Sequence, residues 1–284
     1  MSVERSSAAV AVSLARVATP VSAAQCGVSS NRERKGFPRM RPMPDRIFAE
    51  RRLAEIYDPL DPDRGDLDVY VALVEELGAD SVVDIGCGTG TFACLLAATG
   101  RGVVAVDPAA ASLDVARTKP GADRVRWLLG AATSLPPLRV DLATMTGNVA
   151  QVFLTDDEWL ATLHGVRNAL RPGGRLVFEV RDPSREAWRA WNRAESYERV
   201  ELPVVGTVEH WVEVTDVTGQ LVSFRWTFHF ESSGEVITSA STLRFRGQDE
   251  LEASLRRACL GLLDVRDAPD RAGLEFVFVA ERAD

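Results

Sequence analysis

The residues most able to do chemistry lie in one short run, Asp84-Ile85-Gly86-Cys87-Gly88-Thr89-Gly90. An apolar stretch, Val82-Val83, leads into it and a helix-like stretch from Thr91 leads out. Glycines let a backbone turn tightly and approach a ligand with no Cβ in the way. A helix beginning there turns unpaired N–H groups and a positive dipole end toward an anionic or polar ligand. Asp107 closes the next apolar run, Val103-Val104-Ala105-Val106, about twenty residues on. In nucleotide-binding α/β folds an acid at that place bonds the ribose hydroxyls.

Spacing narrows the ligand. The dinucleotide fingerprint is G-x-G-x-x-G/A, whose third small position would fall on residue 91, a threonine. The chain instead reads G-x-G-x-G through Gly86, Gly88 and Gly90, with Asp84 two residues upstream. In this form the run resembles the first motif of class I S-adenosylmethionine (SAM) dependent methyltransferases. Asp107 resembles that family's ribose-binding acid, and Leu170-Arg171-Pro172-Gly173-Gly174-Arg175-Leu176 its turn before the fifth strand. The resemblance covers roughly residues 50–183 and 247–282. It implies SAM as cofactor, held by Asp84, Gly86, Cys87, Gly88, Gly90, Asp107, Pro108, Ala131, Thr146 and Asn148. One departure is Gly130-Ala131-Ala132, where many members read Gly-Asp-Ala, so adenine recognition here is expected to use backbone groups, apolar stacking or another side chain.

Catalytic groups are less legible. A SAM methyl group is already electrophilic, so neither a metal nor a covalent enzyme intermediate is required, and a general base is needed only for a protonated acceptor. His210 and His229 are the base candidates by chemistry alone, and Tyr57 resembles a tyrosine that many members place over the cofactor. Asn148, Gln151, Arg181 and Asp182 follow the fourth and fifth strands, where open α/β sheets bind ligands. Trp188, Trp191, Trp211 and Trp226 are candidate walls of an acceptor pocket, with core packing as the competing role. Residues 146–149, Thr-Gly-Asn-Val, differ from the Asp/Asn-Pro-Pro-Tyr of amino-directed DNA methyltransferases.

Elements that position these groups can be read from pattern. Short apolar strands at 81–85, 102–106, 125–129, 140–146 and 175–180 alternate with helices, the signature of a parallel sheet covered on both faces. A short strand at 262–265 and a last strand at 274–280 complete the expected fold class: α/β, a doubly wound, mostly parallel seven-stranded sheet with an antiparallel last strand. Three runs with a two-residue period, 207–216, 221–230 and 235–246, add an inserted antiparallel β-sheet. The expected organisation is a leader without fixed structure at 1–43, a SAM-binding domain at 44–184 and 247–284, and a β cap at 185–246 that serves as lid or dimer surface.

The chain has 284 residues and a net charge of −8, from 33 basic and 41 acidic residues. With lysine only at positions 35 and 119 and no basic stripe, nucleic acid is not an expected partner. Cys26, Cys87, Cys94 and Cys259 have no zinc-ligand spacing, so no metal is expected. No apolar run reaches membrane-spanning length. The expectation is a cytoplasmic methyltransferase acting on a small molecule, with a homodimer possible by the cap. Its alternatives are an NAD(P)-dependent oxidoreductase, which Thr91 and the lack of a Tyr-x-x-x-Lys pair disfavour, and a SAM-binding protein without catalysis.

Overall fold

A computed structural model describes residues 44–283; the expected leader lies outside the described residues. In chain order the elements are α1 (Arg46–Ala49), α2 (Arg51–Leu60), α3 (Asp68–Glu76), β1 (Ser81–Ile85), α4 (Thr91–Ala98), β2 (Gly102–Asp107), α5 (Ala110–Ala116) and β3 (Val125–Leu129). They continue with β4 (Val140–Met145), α6 (Asp156–Ala169), β5 (Leu170–Arg181), α7 (Arg193–Ser196), β6 (Glu198–Leu202) and β7 (Gly206–Thr218). The last are β8 (Leu221–Phe230), β9 (Glu235–Arg244), α8 (Gln248–Arg257), β10 (Leu260–Asp267) and β11 (Glu275–Arg282).

Seven strands form the main sheet in the order β10-β11-β5-β4-β1-β2-β3. Pairs among β1 to β5 are parallel, and β11 runs antiparallel to both β5 and β10. Strand β1 reads Ser-Val-Val-Asp-Ile with its last four residues buried, as a strand covered on both faces must be. Alternate residues feed two cores: Val83, Ile85, Met145 and Phe178 pack on the α6 side, and Val82, Leu142 and Val177 pack against α3 and α4. Helix α6 opens with a capping box: the Thr155 hydroxyl accepts from the Glu158 N–H, and the Glu158 carboxylate accepts from the Thr155 N–H. Strand order reverses between β1 and β4, and such a switch point opens a crevice at the carboxyl ends of the strands.

The second sheet has four antiparallel strands in the order β6-β7-β8-β9. Its inner face carries Val208, Phe228, Phe230 and Ile237, which pack on Ile47, Leu53 and Ile56 of α1 and α2. The Ile47 N–H donates to Ser239 Oγ of β9 at 2.9 Å. Sequence pattern anticipates three of these strands. Strand β6 is missed because Glu198-Arg199-Val200-Glu201-Leu202 has three charges, the composition of a blunted edge strand rather than a half-buried one.

Helix α2 runs through Pro59 to Leu60. Proline so near the end of a helix removes a single late hydrogen bond. The turn at Arg171–Gly174 sits inside β5 as a bulge: pairing jumps from Val140↔Leu170 to Leu142↔Arg175.

Candidate functional site

At the carboxyl end of β1 the three glycines take left-handed φ values of 72° at Gly86, 54° at Gly88 and 77° at Gly90. A Cβ on Gly86 would lie 2.6 Å from the Val149 side chain, and one on Gly90 would lie 2.4 Å from the Trp127 ring. A Cβ on Gly88 would meet nothing within 4 Å. The outer glycines are therefore fixed by close packing and the middle one faces open space. That is the shape of a backbone cradle for a ligand.

Two carboxylates flank the cradle. Asp107, at the end of β2, is 7% exposed; its Oδ2 accepts from the Gly88 N–H at 2.9 Å and its Oδ1 from the Ala109 N–H at 2.7 Å. Burial pushes its pKa up, and those two bonds partly offset the rise. Asp84 is 1% exposed, its Oδ1 accepts from Thr144 Oγ1 at 3.0 Å, and its Oδ2 has no partner. Burial raises this carboxyl to about 7, despite the Thr144 bond. An unpartnered carboxylate oxygen beneath a glycine loop suits a cationic ligand group.

Helix α2 closes one side. Asp58 accepts from Thr89 Oγ1 at 2.7 Å and from Lys119 Nζ at 2.6 Å, and Lys119 also donates to Thr91 Oγ1 at 2.7 Å. The glycine loop, α2 and the segment after α5 are thus tied through one carboxylate. Neither Asp58 nor Lys119 is legible as a site residue in sequence, because the two are 61 positions apart and each has an ordinary local role available. Tyr57 sits next to Asp58, with its ring 5.6 Å from that of Phe48. Desolvation pushes its phenol pKa up, while Arg64 and Arg181 pull it down.

Beyond β4 a second polar cluster gathers. Asn148, in a left-handed conformation at φ 61°, is 3% exposed; its N–H donates to Glu179 Oε1 at 3.1 Å and its Nδ2 to Glu275 Oε2 at 3.2 Å. Burial and the neighbouring Glu275 push Glu179 up to about 7. Arg271 bonds Glu275 at 2.7 Å. Gln151 Oε1 accepts from Arg181 Nη1 at 3.2 Å. Glu179 and Glu275 are absent from the sequence expectations, though a charge inside Leu176-Val177-Phe178-Glu179-Val180 is itself a signal, since buried strands seldom carry one.

The other expected residues are dispersed. Cys87 is half-buried, and burial raises its thiol pKa well above the ordinary value. Pro108 and Ala131 are exposed beside Asp107 and after β3, and Thr146 is half-buried after β4. His210 is buried, with Glu198, Trp226 and Phe228 as neighbours; burial lowers its pKa and leaves both ring nitrogens without hydrogen bonds. His229 pairs in register with Glu209, its Nδ1 2.7 Å from Glu209 Oε2. The structure does not bring the two histidines to the glycine loop. Trp188 and Trp191 pack on Phe245 and Phe224, whereas Trp211 lies under Arg193.

Residues 82–174 match the family model described as a methyltransferase domain. Over 138 residues the chain is 34% identical to cypemycin N-terminal methyltransferase of Streptomyces sp, covering 48% of this chain and 56% of that protein. It is 29% identical over 146 residues to the ubiquinone/menaquinone biosynthesis C-methyltransferase UbiE of Rubrivivax gelatinosus, covering 50% and 54%. The chain thus matches little more than half the length of these curated relatives. The CcbJ methyltransferase structure from Streptomyces caelestis superposes with a TM-score of 0.65 at 24% identity, covering 81% of this chain and 96% of that one. That likeness is one of fold.

Proposed function

Since this chain belongs to the class I SAM-dependent methyltransferase family by its domain and fold, we propose that it transfers the methyl group of SAM to a small-molecule acceptor. The observation that carries this is the cradle: an open Gly88 between two packed glycines, with Asp107 on one side and the half-satisfied Asp84 beneath. Bound SAM supplies a methyl group made electrophilic by its sulfonium. Asp107 would hold the ribose hydroxyls, its carboxylate having lone pairs beyond those engaged by the Gly88 and Ala109 N–H groups. Asp84 Oδ2 favours the cationic part of the cofactor. With no acid at Ala131, backbone groups and apolar side chains such as the exposed Leu129 at the end of β3 would hold the adenine. Thr146 and Asn148, after β4, would complete the cofactor site, and Gln151 follows them on the same segment. The protein's work is orientation and exclusion of water, which α2 and the β cap provide from above.

The same reading takes the protein as cytoplasmic, and acids outnumbering bases by 41 to 33 argue against a nucleic-acid partner. It also divides the chain as a SAM-binding body at 44–184 and 247–284 with a cap at 185–246, the cap being lid and candidate homodimer surface.

Calorimetric titration tests the cofactor. Wild type should bind SAM and S-adenosylhomocysteine and not NADPH, and Asp107→Ala should weaken SAM by at least tenfold, about 1.4 kcal/mol. Binding of the nicotinamide, or SAM affinity unchanged in Asp107→Ala, would overturn the reading.

A further inference from the structure

Around Arg181 the hydrogen-bond donors outnumber the acceptors free to meet them. Its Nη1 bonds Gln151, while its nearest approach to Glu275 is 3.7 Å, outside hydrogen-bond distance. A guanidinium carries five N–H donors, so most remain available. Gln151 is 1% exposed, and because its Oε1 faces Arg181, its Nε2 is left as a buried donor with no partner. Nearby carboxylates are engaged elsewhere: Glu275 by Arg271 and Asn148, Glu179 by the Asn148 N–H. Glu179, raised to about 7, also carries a proton much of the time near neutrality, which limits repulsion of an incoming anion. One wall is aromatic, since the Arg181 guanidinium lies 5.5 Å from the Trp191 ring, itself packed on Phe224 of the cap at 4.8 Å.

We propose that Arg181 and Gln151 form the acceptor subsite and that it takes a small carboxylate carried on a planar or aromatic frame. This rests on the methyltransferase reading and adds the acceptor's chemical class. Arg181 grips the carboxylate as a planar fork, Gln151 Nε2 donates a further bond, and Trp191 stacks on the frame. A cationic amine at the same place meets the Arg181 charge, and the unpartnered acceptor of this cluster, the buried Asn148 Oδ1, is one acceptor against several donors.

The test uses protein saturated with S-adenosylhomocysteine, titrated calorimetrically with benzoate, benzamide and benzylamine. Wild type should bind benzoate at least tenfold more tightly than either neutral or cationic analogue. Arg181→Gln should erase that preference with SAM affinity held within twofold, and Arg181→Lys should keep part of it. Should Arg181→Gln fail to fold, Gln151→Glu asks the same question, because it sets an acid where the carboxylate binds. No carboxylate preference in wild type overturns the subsite, as does a preference that survives these variants. A tenfold loss of SAM affinity in Arg181→Gln also overturns it, moving the residue to the cofactor's own carboxylate. Failure of wild type to bind S-adenosylhomocysteine at all would instead sink the methyltransferase reading.

Discussion

Asp84 is buried with one oxygen satisfied and one bare, an arrangement that favours its protonated form in the protein on its own. Its folded pKa stands at about 7, against about 3.9 in an unfolded chain. An acid shifted in this sense contributes stability in full below the unfolded value and loses it as pH rises through the folded value. The thermal midpoint of the ligand-free protein should therefore fall between pH 4 and pH 7, and Asp84→Asn should flatten that fall. Midpoints that track identically in the two proteins would show that the Asp84 carboxyl is not desolvated as described. The type and place of Asp84 and Asp107 are legible from the motif alone. That Asp84 is half-satisfied is not, because it depends on Thr144, sixty residues away on the neighbouring strand.

The glycine loop separates two kinds of glycine that look alike in sequence. Gly86 and Gly90 have neighbours at 2.6 Å and 2.4 Å from where a Cβ would stand, while Gly88 has open space. Alanine at Gly86 or Gly90 should overpack the core as well as strain a left-handed residue, and cost about 1–3 kcal/mol or more. Gly88→Ala has only the backbone strain, so its thermal midpoint should fall least while its SAM affinity falls most. A reversed order, seen in melts and titrations of the three variants, would remove the cradle from the argument. At this scale the alternating strands of the main sheet are legible because apolar strands between helices have few other homes. Strand β6 and the reach of α2 past Pro59 are not, since charge and proline argue locally against elements that long-range packing then supports.

Across the whole molecule, the two sheets communicate through α1 and α2, which pack on the cap by Ile47, Leu53 and Ile56 and on the cradle by Asp58. Sequence separates the body from the cap by a change of period, from helix-and-strand to two-residue alternation. It does not show that the helices before β1 are the layer between them. One consequence concerns reagents rather than ligands. Lysine occurs in this chain only at positions 35 and 119, and the Lys119 ammonium is held by Asp58 and Thr91. The Lys119 side chain is only 19% exposed, so a reagent reaches the amine freely only when these partners let go. Acylation of Lys119, followed by peptide mass spectrometry, should be slow in the docked state and accelerate several-fold in Asp58→Ala. A lysine already as reactive in wild type as in the variant would mean α2 is not seated on the loop. Lys119 is thus a chemical reporter of whether α2 is seated on the glycine loop.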